Sequence, residues 1–130
     1  MDKKTFYIDG SNFSTLQGFY DEAVMVLTAD FKEFGRNFDA FNDILRGGFG
    51  KFEYDEPIIL RWKESAKSRV DLGYAETINY LREKIKKCHP SNHDGAQKDL
   101  SLAEKGIGQT LFEILIEIIA ERKNIEFVLE

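Results

Sequence analysis

Three short β-prone runs punctuate the 130-residue chain: TFYI at 5–8, PIILRW at 57–62 and NIEFVLE at 124–130. Helical periodicity fills much of the space between them. This alternation constrains the fold more than anything else in the sequence. Strands separated by helices cannot be joined by tight hairpins. They need crossovers, and crossovers set neighbouring strands parallel. Pro57 stands at the entry of the second run, where its missing N–H is tolerated. The unbroken apolar stretch Ile58-Ile59-Leu60 suits a strand buried on both faces. Three strands are too few for a doubly wound core, so helices are expected mainly on one face, the first and last among them. The expected class is α/β: a three-stranded parallel sheet with helices packed on it. No repeat, low-complexity stretch or linker divides residues 1–130, which have the usual size of one domain.

The first helix is marked by Leu16, Phe19, Tyr20, Ala23, Val24 and Leu27, with Asp21 and Glu22 off that face. Ser14 with Gln17 fits a capping box at its start. Residues 29–36 read as a connection. A short second helix follows over Asn37–Arg46, with Phe38, Phe41 and Leu45 as its apolar stripe and Gly47-Gly48 as its stop. GGFGKFEYDE then reads as a loop. Between Lys63 and Gln109 the pattern is weaker. Tyr74–Lys87 reads as a helix carrying Ile78, Leu81 and Ile85 on one side, and so as docked on the body. HPSNHDGAQKD at 89–99 reads as a loop. Thr110–Glu121 is a strong helix.

Apolar residues make up 42% of the chain, enough for one core, and the 11 phenylalanines fall inside periodic segments. No apolar run reaches the ~18 residues a membrane span needs. MDKKTFYIDG lacks the apolar stretch of a signal peptide. Cys88 is the only cysteine, so no internal disulfide can form, and a reduced, cytoplasmic protein is expected. The net charge of −5 argues against direct binding of nucleic acid, which needs clustered Lys and Arg. REKIKK at 82–87 is the nearest approach to such a cluster, and it alternates as a solvated helix face does. An acidic balance suits a partner that is itself basic.

Two stretches could carry chemistry. FYIDGSNF, at 6–13, ends an apolar run in Asp9, and IDGSN resembles the first active-site strand of PIN-like (NYN) ribonucleases. A metal-dependent nuclease led by Asp9 and Asn12 would need further carboxylates converging at strand ends. The second strand ends in RWKES instead, and two helices precede it. The plainer reading makes Asp9-Gly10 a turn whose carboxylate caps local amides. CHPSNHD, at 88–94, offers Cys88, His89, His93 and Asp94, but without paired-cysteine spacing or a second cluster to complete a zinc site. A solvated loop is the plainer reading. No serine elbow or phosphate-cradling glycine loop is present, and no cofactor or metal is expected.

Acid spacing is more informative. In LFEILIEIIAE every polar position is a glutamate, and Glu113, Glu117 and Glu121 lie four apart on one stripe. A helix apolar almost all round should be buried almost all round, so its one wet stripe is acidic. That stripe could be merely the solvated face of a core helix. Stacked like charges, however, cost a few tenths of a kcal/mol per pair, which Lys or Gln would avoid. Asp39 and Asp43 repeat the pattern on the second helix. Asp39 sits in the first turn, where the helix dipole favours an acid; Asp43 lies beyond that turn. An acidic binding surface and an ordinary wet face both fit the spacing.

FGRNFDAFNDILRGG, at 34–48, resembles the second helix of the barstar family, intracellular inhibitors of the ribonuclease barnase. Phe34, Gly35, Asn37, Phe38, Asp39, Ala40, Phe41, Asp43 and Leu45 match its pattern. PIILRW resembles the family's Pro-led second strand ending in Trp. TLFEILIEIIAERKNIEFVLE resembles its last helix and strand, and TFYIDGSNFSTLQGFYDEAV its opening strand, turn and helix. The resemblance covers about 5–62 and 110–130, leaving residues 63–109 as an extended helical and loop insertion. It implies a barstar-like fold and an inhibitor or immunity protein, not an enzyme, whose acidic helix surface blocks the active site of a small basic ribonuclease. The positions it carries over are Asn37, Asp39, Asp43, Arg46 and Gly47, with Glu117 and Glu121 on the last helix. Phe38 belongs to the same run. Asn42 stands where the family has Trp, Glu33 where it has Tyr, and Arg46 adds a positive charge; barnase itself is therefore not implied as the partner. A barstar-fold domain with a non-nuclease partner is the further alternative.

Overall fold

The computed structural model describes residues 3–29, 34–87 and 89–130. Its three strands are β1 (Lys4–Asp9), β2 (Ile58–Lys63) and β3 (Ile125–Leu129). They form one sheet in the order β1-β2-β3, and both pairings are parallel, as the crossover argument requires. In register, Ile8 lies beside Trp62, and Leu60 lies between Phe6 and Phe127.

The first crossover holds α1 (Leu16–Leu27) and α2 (Phe38–Arg46). The second holds α3 (Ser65–Asp71), α4 (Tyr74–Lys87), α5 (His93–Glu104) and α6 (Leu111–Ala120). The core joins one face of the sheet to α1, α2 and α6. Trp62 lies at its centre with no exposed surface. Its ring stacks on Phe19 at 5.0 Å and meets Phe112 edge-on at 5.1 Å, and its indole N–H donates to Ser68 Oγ at 3.0 Å. A buried Trp needs such an acceptor.

Among the described residues, the opposite face of the sheet carries no helix. Thr5, Tyr7 and Lys63 are exposed there, and Ile59, Arg61 and Val128 are half-buried. The expectation that β2 is covered on both faces is therefore corrected. Ile58, Leu60 and Trp62 point into the core, while Ile59 and Arg61 take the open side. A run of three apolar residues cannot distinguish the two cases, because alternation appears only when the outward residue is polar.

Other boundaries also move. The cap of α1 is Thr15, whose hydroxyl accepts Gly18 N–H at 3.1 Å, not Ser14. The stretch 89–99 is not a loop. A short 3-10 turn, Pro90–Asn92, runs into α5. That helix buries little but Ala96, Leu100 and Ala103, too thin an apolar stripe to read from sequence. Helix α3 is only seven residues long, too short for periodicity to show. Helix α6 is less buried than expected: Ile114, Ile116 and Ile118 keep part of their surface in water.

Helix α4 has the expected bounds, and its first turn explains how it docks. The Glu76 carboxylate accepts Leu16 N–H at 2.8 Å, and Thr77 Oγ1 accepts Leu111 N–H at 3.0 Å. The first N–H groups of a helix have no partner within it. Two adjacent residues of α4 thus satisfy the starts of α1 and α6.

Candidate functional site

Helix α2 is nine residues long and would be marginal alone. Its ends are therefore made with care. Asn37 Oδ1 accepts Ala40 N–H at 2.8 Å. At the other end Gly47 adopts φ +85, and a Cβ there would lie 2.4 Å from Glu53 O and 2.6 Å from the Phe52 ring. Only glycine fits both the dihedral and the space. Gly47 is buried, so it shapes the helix end and presents no side chain. Phe41, Ile44 and Leu45 anchor the inner face in the core.

The outer face presents Asp39 and Asp43, both exposed. Among the described residues, Asp43 has one ion-pair neighbour, Arg46, at 4.0 Å across a largely solvated gap. Such a pair contributes little to stability, so it does not account for an acid at this position. Phe38 is half-buried, its ring 6.5 Å from Tyr20 and 5.6 Å from Tyr80. It therefore supports the start of α2 rather than standing on its exposed face. Asn42 turns toward α6 and accepts Arg122 Nη1 at 3.4 Å. Asn124 Nδ2 donates to Leu45 O at 3.2 Å. These two bonds tie the end of α2 to the turn between α6 and β3.

Helix α6 packs against α2. Its three glutamates, alike in sequence, divide in the structure. Glu113 completes a capping box with Thr110, which gives it a structural task. Glu117 is exposed and accepts Gln109 Nε2 at 2.5 Å; Glu121 is exposed at the helix end. Sequence reasoning missed Gln109 and Arg122, which hold Glu117 and Asn42. Both act across a helix boundary, where periodicity carries no signal. Glu33 lies outside the described residues.

Asp9, the other candidate, is a turn cap. Its Oδ1 accepts Ser11 N–H at 2.9 Å and Ser11 Oγ–H at 2.7 Å. These bonds hold its carboxyl below the usual carboxylate range. Asn12 does not turn toward Asp9 but donates to the carboxylate of Glu22 at 3.1 Å. Glu22 is buried and also accepts Asp9 N–H at 3.0 Å. His89 Nδ1 accepts Ser91 N–H and so caps the 3-10 turn; Cys88 lies outside the described residues. Among the described residues, no three His, Cys, Asp or Glu side chains converge to hold a metal, and no helix is long and apolar enough to cross a membrane.

A family model described as Barstar (barnase inhibitor) matches residues 3–98. The match takes in β1, α1, α2 and β2 and runs on through α3 and α4 into α5. It thus enters the segment where the motif resemblance stopped, and it ends before α6 and β3. No curated protein matches the chain.

Proposed function

The chain belongs to the barstar family, and from that premise we propose that it is a cytoplasmic inhibitor or immunity protein that blocks the active site of a small basic ribonuclease. The observation that carries this reading is the pair Asp39 and Asp43, exposed on a helix whose other face is locked in the core. A ribonuclease cleft is lined with Arg, Lys and His groups suited to phosphate. Carboxylates on a short, rigid helix can occupy the phosphate positions without being cleaved. Rigidity matters because a preordered helix loses little entropy on binding. Glu117 and Glu121, on the adjoining α6, extend the negative field that steers a basic partner. In this reading the protein inhibits by occupying the cleft and performs no catalysis. Residues 1–130 act as one domain, which the 63–109 segment enlarges.

The test is an inhibition titration against barnase and a panel of other small basic ribonucleases, with wild type and Asp43→Ala. Wild type should inhibit at least one. Asp43→Ala should weaken that inhibition at least thirtyfold, about 2 kcal/mol, the hot-spot threshold (part of that scale comes from barnase–barstar itself and is borrowed here). Stability should stay within about 0.5 kcal/mol, because the lost pair with Arg46 is solvated. A stability loss without loss of inhibition would assign Asp43 to the fold and sink the binding reading of α2.

A further inference from the structure

A cleft of about 160 Å³ opens where α4, α5 and the start of α6 meet. Its apolar walls are Leu81, Leu102, Ile107, Leu111 and Ile114. The volume suits one side chain of Leu, Ile or Phe size; a dry cavity of about 150 Å³ holds benzene. Ile107 stands beside it with 54% of its surface in water. The chain holds Ile107 there deliberately. Ile107 N–H bonds Leu102 O at 2.9 Å and Gly106 N–H bonds Ala103 O at 2.9 Å, with Gly106 at φ +72. This double bond pattern ends α5 and fixes the direction of the residue that follows it.

Two features join the cleft to the acidic helices. Gln109 lines it, and the same amide grips Glu117. Tyr80 forms another wall, and its ring packs on Phe38, the residue before Asp39. The rim also carries Asp99, exposed and without an ion pair among the described residues. An apolar slot with an acid, Asp99, on its rim and Glu117 held by Gln109 complements an apolar side chain flanked by positive charge.

We infer that this cleft is a second contact for the same basic ribonuclease and receives one apolar side chain from it. The inference rests on the inhibitor reading above. It adds a specificity element that α2 alone does not supply: ribonucleases alike in their active sites would be sorted by what they present to the cleft. Filling the slot removes apolar surface from water, and Asp99 speeds the approach of a basic surface.

The probes are barnase and the same panel of small basic ribonucleases. Three variants are compared with wild type: Ile107→Ser removes an apolar wall, Asp99→Lys reverses the rim charge, and Asp43→Ala reports on α2. Thermal melts confirm that each is folded; Asp99→Lys, on the surface, serves if Ile107→Ser is not. Ile107→Ser should weaken inhibition about tenfold through faster dissociation, and Asp99→Lys should slow association several-fold at low salt. If both inhibit as wild type does while Asp43→Ala fails, the cleft lies outside the interface and the α2 reading stands alone. If wild type inhibits no member of the panel, the inhibitor reading falls and the cleft contact with it; if Asp43→Ala inhibits normally while Ile107→Ser and Asp99→Lys do not, the α2 reading falls and the cleft contact stands.

Discussion

Trp62 is wholly buried among the rings of Phe13, Phe19 and Phe112. The α4–α5 pair, by contrast, forms a separate small cluster around Leu81, Leu100 and Ala103. The two regions are held by different forces. The sheet body rests on apolar burial, the largest favourable contribution to folding. The α4–α5 pair has a thin core and is attached mainly at one end. There Glu76 and Thr77 satisfy the first N–H groups of α1 and α6, and Tyr74 Oη donates to Gly108 O at 2.7 Å. Polar bonds give little net energy when made but cost much when one buried partner is removed. The pair should therefore be precisely placed yet individually weak.

The comparison can be broken at several points. Trp62→Ala should have the largest effect, about 3–5 kcal/mol, through cavity formation at the junction of α1, α6 and the sheet. Chemical denaturation would measure it. A loss under 1 kcal/mol would mean that the body does not depend on this cluster.

Thr77→Val keeps the shape of the side chain but leaves Leu111 N–H without its acceptor. The position is buried, so about 1–3 kcal/mol should be lost. Melting of α6 and α4 together, read by amide exchange, would confirm that the joint and not the core has failed. No change in stability would show that another group or water takes the bond.

Leu100→Ala should act locally. Amides of α5 and of the last turns of α4 should exchange faster, while those of β2 keep their protection. Equal acceleration in β2 would show that the two regions unfold as one unit. Exchange in α4 of wild type as fast as at the termini would instead show that α4 is not docked at all.

The smallest effect concerns acid. The carboxyl of Asp9 is held below its ordinary 3.8 by the Ser11 bonds, and that of Glu56 below 4.5 by the backbone N–H of Glu53. A depressed carboxyl contributes stability at pH values above its unfolded pKa. That contribution is lost as pH falls through the folded value. Both groups belong to the body. Asp9→Asn, which retains an acceptor for Ser11, should therefore flatten the fall of stability below pH 3.8. An unchanged acid slope would place the pH dependence elsewhere.

The sequence by itself settled the features that depend on near neighbours. The strand–helix alternation dictated a parallel sheet. Asn37 and Gly47 bounded α2 because capping acts within a few residues. The spacing of Ile78, Leu81 and Ile85 placed α4. The family motifs are local runs of the same kind, and the positions of Asp39 and Asp43 on one face follow from helical geometry alone. What only the tertiary structure decided acts across long separations. Glu76 reaches Leu16 over 60 positions and Thr77 reaches Leu111 over 34, so no local pattern announces either bond. The open face of the sheet, the division of labour among Glu113, Glu117 and Glu121, and the cleft beside Ile107 are of the same kind. Each depends on which surfaces remain uncovered once all the helices are packed. Burial is a property of the finished arrangement, whereas periodicity reports only which side of an element could be buried.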